Sequence, residues 1–239
     1  MKRISHFVFL VVTLSSIFNT LKSQSQSQSQ SQSMTYLALG DSYTIGEAVA
    51  LEENWPYILV KQLKQDGYDF QNPEIIAVTG WRSDELIAAI KSKRKELDDQ
   101  YDLVSILIGV NNQYQKKNIR KYKREFKRLI KMGLAQSKYG AEGMFVVSIP
   151  DYGVSDFAKE EKLENVAKEV AKYNKVAAKI AMKYGITFYD ITPVSKTTEG
   201  DQSMFAEDKL HPSAKQYQLW LDIFYEEVKA KLAKLNSTE

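Results

Sequence analysis

The chain has 239 residues, 44% of them hydrophobic and 26% charged, with a formal net charge of +3 and no cysteine. That usage is ordinary for a globular chain of one sizeable domain, and it excludes disulfides, thiolate metal sites and a cysteine nucleophile. Lys2, Arg3 and Lys22 are the only charged residues before Asp41, so the chain beyond residue 33 carries 30 acidic and as many basic residues, and nothing global draws it to nucleic acid.

The first 23 residues have the plan of a secretory signal peptide. Lys2 and Arg3 are basic, Phe7 to Phe18 is an apolar run interrupted only by Thr13, Ser15 and Ser16, and the small Ser23 stands at a plausible cleavage point. The run falls short of the roughly 20 apolar residues that a membrane span needs. Residues 24–33 continue an alternation of Ser and Gln that has nothing to bury, so a flexible linker is expected there. The folded domain is expected over residues 34–239, exported to a periplasm or the medium; translation from Met34 would instead leave it in the cytoplasm.

Tyr36 to Leu39 has the length and apolarity of a short buried strand and runs directly into Gly40-Asp41-Ser42. Trp55 to Lys64 reads as a helix capped by Asn54, with Pro56 in its first turn and Gly67 beyond its end. Ile75 to Val78 is the second expected strand, leading to Thr79-Gly80, and Ser83 or Asp84 is expected to cap a helix with Leu86, Ile87, Ile90 and Leu97 at helical spacing. Leu103 to Ile108 is the third strand, ending at Gly109, and a basic helix comes next over Ile119 to Ser137. Met144 to Ile149, stopped by Pro150, is the fourth strand; Leu163 to Tyr184 is helical; Ile186 to Ile191 is the fifth strand; and Ser213 to Leu235 closes the chain as a helix.

Strands alternating with helices imply parallel pairing with right-handed crossovers. Five such units predict a three-layer α/β/α sandwich, flavodoxin-like, with a parallel five-stranded sheet in the order 2-1-3-4-5. That order brings the turns at Ser42, Gly80 and Gly109 to one crevice.

Acyl transfer by a serine needs a base in hydrogen-bond reach, a group that orients the base, and donors for the developing oxyanion. Ser42 ends a strand where ligands bind in open parallel sheets. Only two histidines exist and His6 lies in the leader, so His211 is the one imidazole of the expected domain. Pro212 holds His211 in an extended conformation ahead of the last helix, and Asp208, three residues earlier, can fold back onto the ring. Gly80 offers a backbone N–H at a strand end, and the Asn111 side chain an uncharged amide donor.

Gly40-Asp41-Ser42, then Gly80, then Gly109-Val110-Asn111-Asn112, then Asp208 with His211 resemble the four sequence blocks of the SGNH hydrolases, also called the GDSL lipase/esterase family, and the resemblance spans Thr35 to Leu235. It implies a serine hydrolase of carboxylic esters, with small acyl esters, acylated sugars or lysophospholipids as substrates and no cofactor. It also implies that Ser42 is the nucleophile, that Ser42 N–H, Gly80 N–H and Asn111 form the oxyanion hole, and that Asp208 and His211 complete a triad. Two positions depart from the family's pattern: Tyr43, where leucine is usual, and Asn112, where aspartate is common. The second bears on hydrogen bonding around Ser42.

Asp41, Tyr43, Asn112, Tyr114 and Asp151 are the further residues expected to line the crevice; Gln113 and Gln115, which follow Asn111 with Tyr114, are expected to line it too, and Pro150-Asp151-Tyr152-Gly153 to border it, with structural turn roles an equal account of both stretches. No metal-ligand constellation is visible. The nine basic residues from Lys116 to Lys131, against the single acid Glu125, read as a solvated helix face. A noncatalytic carbohydrate- or lipid-binding protein on the same sandwich is the alternative, suggested by Asn112. A flavodoxin-type nucleotide binder is disfavoured, because the first turn lacks a phosphate-cradling glycine series. A monomer is the default expectation.

Overall fold

Tyr36–Gly40 (β1) is buried along its whole length and pairs on both sides, which is why it reads as an uninterrupted apolar run. In the computed structural model, which describes residues 33–98 and 100–237, four further strands join it: β2 (Glu74–Ala77), β3 (Leu103–Leu107), β4 (Met144–Val147) and β5 (Thr187–Tyr189). All pairings are parallel and the order is β2-β1-β3-β4-β5, as the alternation of elements predicts. The leader and the Ser/Gln tract lie, apart from Ser33, outside the described residues.

Register positions the site. Gly40 is the partner of both Ala77 and Leu107, so β1, β2 and β3 end at one level and their outgoing turns emerge side by side. Immediately after β1 comes a four-residue helix, α1 (Ser42–Ile45). Then come α2 (Trp55–Gln65), α3 (Ser83–Ser92), α4 (Val110–Tyr114), α5 (Ile119–Gln136), α6 (Asp156–Glu160), α7 (Val166–Lys183), α8 (Thr192–Thr197) and α9 (Ala214–Asn236). Helices α3, α5 and α7 pack side by side, and α2 packs with α9.

Between sheet and helices lies an aromatic core. Trp55 of α2 meets Phe224 of α9 edge-on at 6.1 Å, and Phe224 meets Phe145 of β4 at 5.6 Å, geometries that the ring quadrupoles favour. Tyr217, Trp220, Leu221 and Phe224 of α9 are all buried, on the face that the helical spacing predicts. Burying each such side chain stabilises by about 1.5–3 kcal/mol, so α9 is anchored by its inward face rather than by helix propensity.

Strand β2 is shifted by one residue from the expected Ile75 to Val78, β3, β4 and β5 are shorter than expected, and three helix boundaries differ for physical reasons. Helix α3 ends at Ser92, and Leu97 is buried from the turn beyond it, so an apolar residue at helical spacing did not extend the helix. Its N-cap position is Arg82, not Ser83 or Asp84. The Ser83 N–H is taken by the Asn112 side chain at 2.9 Å, a cap supplied across space that no local pattern announces. Helix α7 starts at Val166, after Asn165 in a left-handed conformation, rather than at Leu163.

Candidate active site

The serine corner is built by backbone constraint. Asp41 is the N-cap of α1, and its Oδ1 accepts the Tyr43 N–H at 3.2 Å. A side chain at Gly40 would run into Thr44 and come within 2.6 Å of the Leu107 carbonyl oxygen, so the tight strand-to-helix turn requires glycine there. Ser42 is buried, 4% exposed, as the first residue of α1. Asp41 is fully buried, and its Oδ2 has no hydrogen-bond partner among the described residues. Burial pushes its carboxyl up to about 7, against the opposing pull of the backbone N–H groups of Tyr43, Gly109 and Asp41 itself.

Two neighbouring turns bring donors to the same place. Gly80 has φ of +83°, and the space where a side chain would stand is open. The Asn111 side chain donates one amide hydrogen to the Trp81 carbonyl at 3.0 Å, which orients the amide and leaves its second N–H unused. Among the described residues, the backbone N–H groups of Ser42 and Gly80 donate to no protein acceptor.

The histidine arrives from a self-contained loop between β5 and α9. Asp208 Oδ1 accepts the backbone N–H of Leu210 at 3.0 Å and that of His211 at 2.9 Å, while its Oδ2 lies 2.5 Å from His211 Nδ1. Part-burial alone would raise this carboxyl, but the His211 ring and the two backbone donors outweigh it and hold it below the usual carboxylate range. Behind the imidazole, the Tyr43 ring stacks at an angle, 5.2 Å away between centroids. Among the described hydrogen bonds none joins the Ser42 hydroxyl to His211, although both residues line one cavity.

That cavity has a volume of about 160 Å³. Ser42, Gly80, Asn111 and His211 form its polar end, and Val110, Tyr114, Tyr152, Phe157 and Leu210 its apolar wall. Tyr43 also lines it, as expected. Asp41, Asn112 and Asp151 do not, which corrects the expected lining. All three are buried and work on the backbone behind the cavity. Asp41 caps α1; Asp151 Oδ1 accepts the Gly153 N–H at 3.0 Å; Asn112 accepts from Ser83 N–H and donates to Ser83 Oγ at 2.8 Å. Asn112 therefore clips α4 to the start of α3 and makes no hydrogen bond to Ser42.

Gln113 braces the wall rather than lining it, accepting the Tyr152 hydroxyl at 2.7 Å and donating to Glu169 at 2.9 Å. Phe157 and Leu210 are wall residues that sequence reasoning missed. Leu210 adjoins His211, a signal that was available; Phe157 sits on the short α6 behind the Ser155 cap, far from any motif. Among the described residues no group of three or more histidine, aspartate or glutamate side chains converges to hold a metal ion, and no helix is long and apolar enough to cross a membrane.

Comparison with known proteins agrees with this arrangement. The family model of the GDSL-like Lipase/Acylhydrolase family matches residues 38–219. No curated protein matches the sequence significantly. Among solved structures, that of TesA superposes with a TM-score of 0.64 at 17% identity, over 83% of this chain and 99% of that one. A lipolytic protein of the G-D-S-L family from Veillonella parvula DSM 2008 gives 0.63 at 16% identity, over 81% and 97% of the two chains. The psychrotrophic esterase EstA from Pseudoalteromonas sp., solved inhibited by monoethylphosphonate, gives 0.57 at 19% identity, over 83% and 98%. At these identities the superpositions speak for the fold alone. The family match spans most of the chain, from β1 into α9, and includes every turn that contributes to the cavity, so the chain belongs to the GDSL-like lipase/acylhydrolase (SGNH hydrolase) family.

Proposed function

We propose that this protein hydrolyses carboxylic esters through an acyl-enzyme formed on Ser42. The observation that carries the reading is the 2.5 Å contact between Asp208 Oδ2 and His211 Nδ1, with His211 bordering the cavity that Ser42, Gly80 and Asn111 also border. An Nδ1–H held by a carboxylate leaves Nε2 as the basic nitrogen, the tautomer that general-base catalysis needs. Nε2 takes the Ser42 proton as Oγ attacks the ester carbonyl. Negative charge on the carbonyl oxygen is received by the Ser42 and Gly80 backbone N–H groups and the second Asn111 amide hydrogen, donors that are otherwise unoccupied. The imidazolium then protonates the departing alcohol, and water cleaves the acyl-enzyme by the same proton route reversed.

The apolar wall favours an uncharged acyl group, and a cavity of about 160 Å³ favours a short one. Small acyl esters and acylated sugars fit this better than long-chain lipids. The leader over residues 1–23 supports an exported site of action. The noncatalytic alternative drew on Asn112 alone, and the capping role of that side chain leaves it without a specific observation.

The test is Ser42→Ala with nitrophenyl acetate. Turnover is expected to fall by about 10⁶-fold, leaving only the residual rate that the oxyanion donors and binding supply, with the melting temperature unchanged. A fluorophosphonate should label the parent protein and not the variant. Residual turnover near the parent's in Ser42→Ala would remove the proposal.

A further inference from the structure

The charge of this protein is segregated, although its folded part has none in total. Helix α5 carries seven basic residues against Glu125, and α7 carries five against Glu169. These neighbouring helices together hold a net +10, and the remainder of residues 34–239 holds the opposite charge.

The cations converge on a groove. Between α5 and α7 runs a depression of about 640 Å³, separate from the cavity at Ser42. Lys123 and Lys127 stand on one wall, and Lys172, Lys175, Lys179 and Lys183 on the other. All six are exposed, and none has an ion-pair partner among the described residues, whereas Lys121 of α5 is paired with Asp84 and Glu125. Ile119, Val176 and Ile180 make the floor. Along α7 the lysines recur every three or four residues, a rise of about 4.5–6 Å each.

Six like charges facing one another across a depression repel, and a ligand that neutralises them releases the counterions they otherwise hold. We propose that the α5–α7 groove binds an extended single chain of inorganic polyphosphate, its charges taken by the lysine walls. The shape selects a strand over a membrane plane, since the cations line a concavity and the apolar residues lie beneath them. The residue types argue against nucleic acid and bidentate recognition: the walls hold lysine rather than arginine, and Tyr184 is the single aromatic, too few for base stacking. Ile119 is five residues from Tyr114 of the Ser42 cavity, at most about 18 Å of chain.

The experiment measures binding of fluorescently labelled long-chain inorganic polyphosphate to the whole protein by anisotropy across a salt series. The parent should bind with an affinity that falls steeply with salt. Lys123→Gln/Lys127→Gln and Lys175→Gln/Lys179→Gln should each weaken binding by about tenfold or more, and the quadruple variant should lower the log–log salt slope by about 3, at about 0.7 per lysine. Lys61→Gln/Lys64→Gln, on α2, should bind as the parent does, and so should Ser42→Ala, which separates this proposal from the hydrolase reading. Circular dichroism and melting establish that each variant is folded. Full-strength binding by the quadruple variant, equal weakening by the α2 variant, or no polyphosphate binding by the parent would overturn the proposal. Sedimentation of the parent with phosphatidylglycerol vesicles but no affinity for polyphosphate would also overturn it in favour of a membrane surface, against which the exposed Met182 would lie.

Discussion

Ser42 and His211 reach the same cavity by opposite structural routes. The serine is placed by the sheet: its turn depends on the pairing of Gly40 with both Ala77 and Leu107, on a glycine that lets Thr44 and Leu107 close in, and on a buried capping carboxylate. The histidine is placed by its own loop, in which one side chain, Asp208, binds two backbone N–H groups and the ring within four residues. A perturbation at the serine corner should therefore spread into the fold, whereas one at the histidine loop should stay local and show in the chemistry.

The largest effect expected from this contrast tests its second half. In Asp208→Asn the remaining Oδ1 can still accept from Leu210 and His211, so the loop should keep its shape. The amide that replaces Oδ2 would donate towards Nδ1 and select the tautomer whose Nε2 carries the proton. The ester kcat should fall by about 10⁴-fold with little change in melting temperature. A variant that retains most of its activity would show that the carboxylate serves the loop alone. Gly40→Ala should behave the other way. Overpacking against Thr44 and the Leu107 carbonyl should cost about 1–3 kcal/mol, lowering the melting temperature by several degrees, and activity should fall only with the displacement of Ser42. Unaltered stability would mean that the turn yields more readily than its packing indicates.

The same contrast decides what could be read in the sequence. The five strands follow from apolar runs separated by helical spacing, because both signals are local and repeat, whereas the sheet order rests on the arrangement common to such sandwiches, since which strands are neighbours is not a local property. Asp208 and His211 were legible as a pair since they lie three residues apart and no other imidazole competes. Asn112 was misread: its amide serves Ser83, 29 residues away, and a hydrogen bond between two turns leaves no periodic trace. Asp151 likewise looked like a crevice residue by its place after β4, yet its carboxylate turns back to Gly153. Phe157 enters the wall from a five-residue helix whose position depends on packing, not on pattern. Position along the strand ends was predictable; the direction of each side chain there was not.

A third expected effect concerns Asp41, where the serine corner's dependence on the fold becomes measurable as a function of pH. Its carboxyl is raised to about 7 by burial, well above the ordinary carboxylate value of 3.8. Between those values the folded chain holds a proton that the unfolded chain has released, so this group makes stability fall as pH rises from about 4 to 7. Carboxylates held low, such as Asp208, act oppositely and over a more acidic range, which is why the comparison of variant with parent matters more than either profile. Asp41→Asn keeps the Oδ1 acceptor for Tyr43 N–H and removes the ionisation. The variant's stability relative to the parent should therefore improve steadily across that window, by up to about 1.4 kcal/mol per pH unit, and level off above it. Urea midpoints at pH 4.5, 5.5, 6.5 and 7.5 would measure it, at roughly unit spacing across the window. Parallel profiles for the two proteins would mean that Asp41 ionises as readily folded as unfolded, and that the capping N–H groups, not burial, govern the carboxyl beside Ser42.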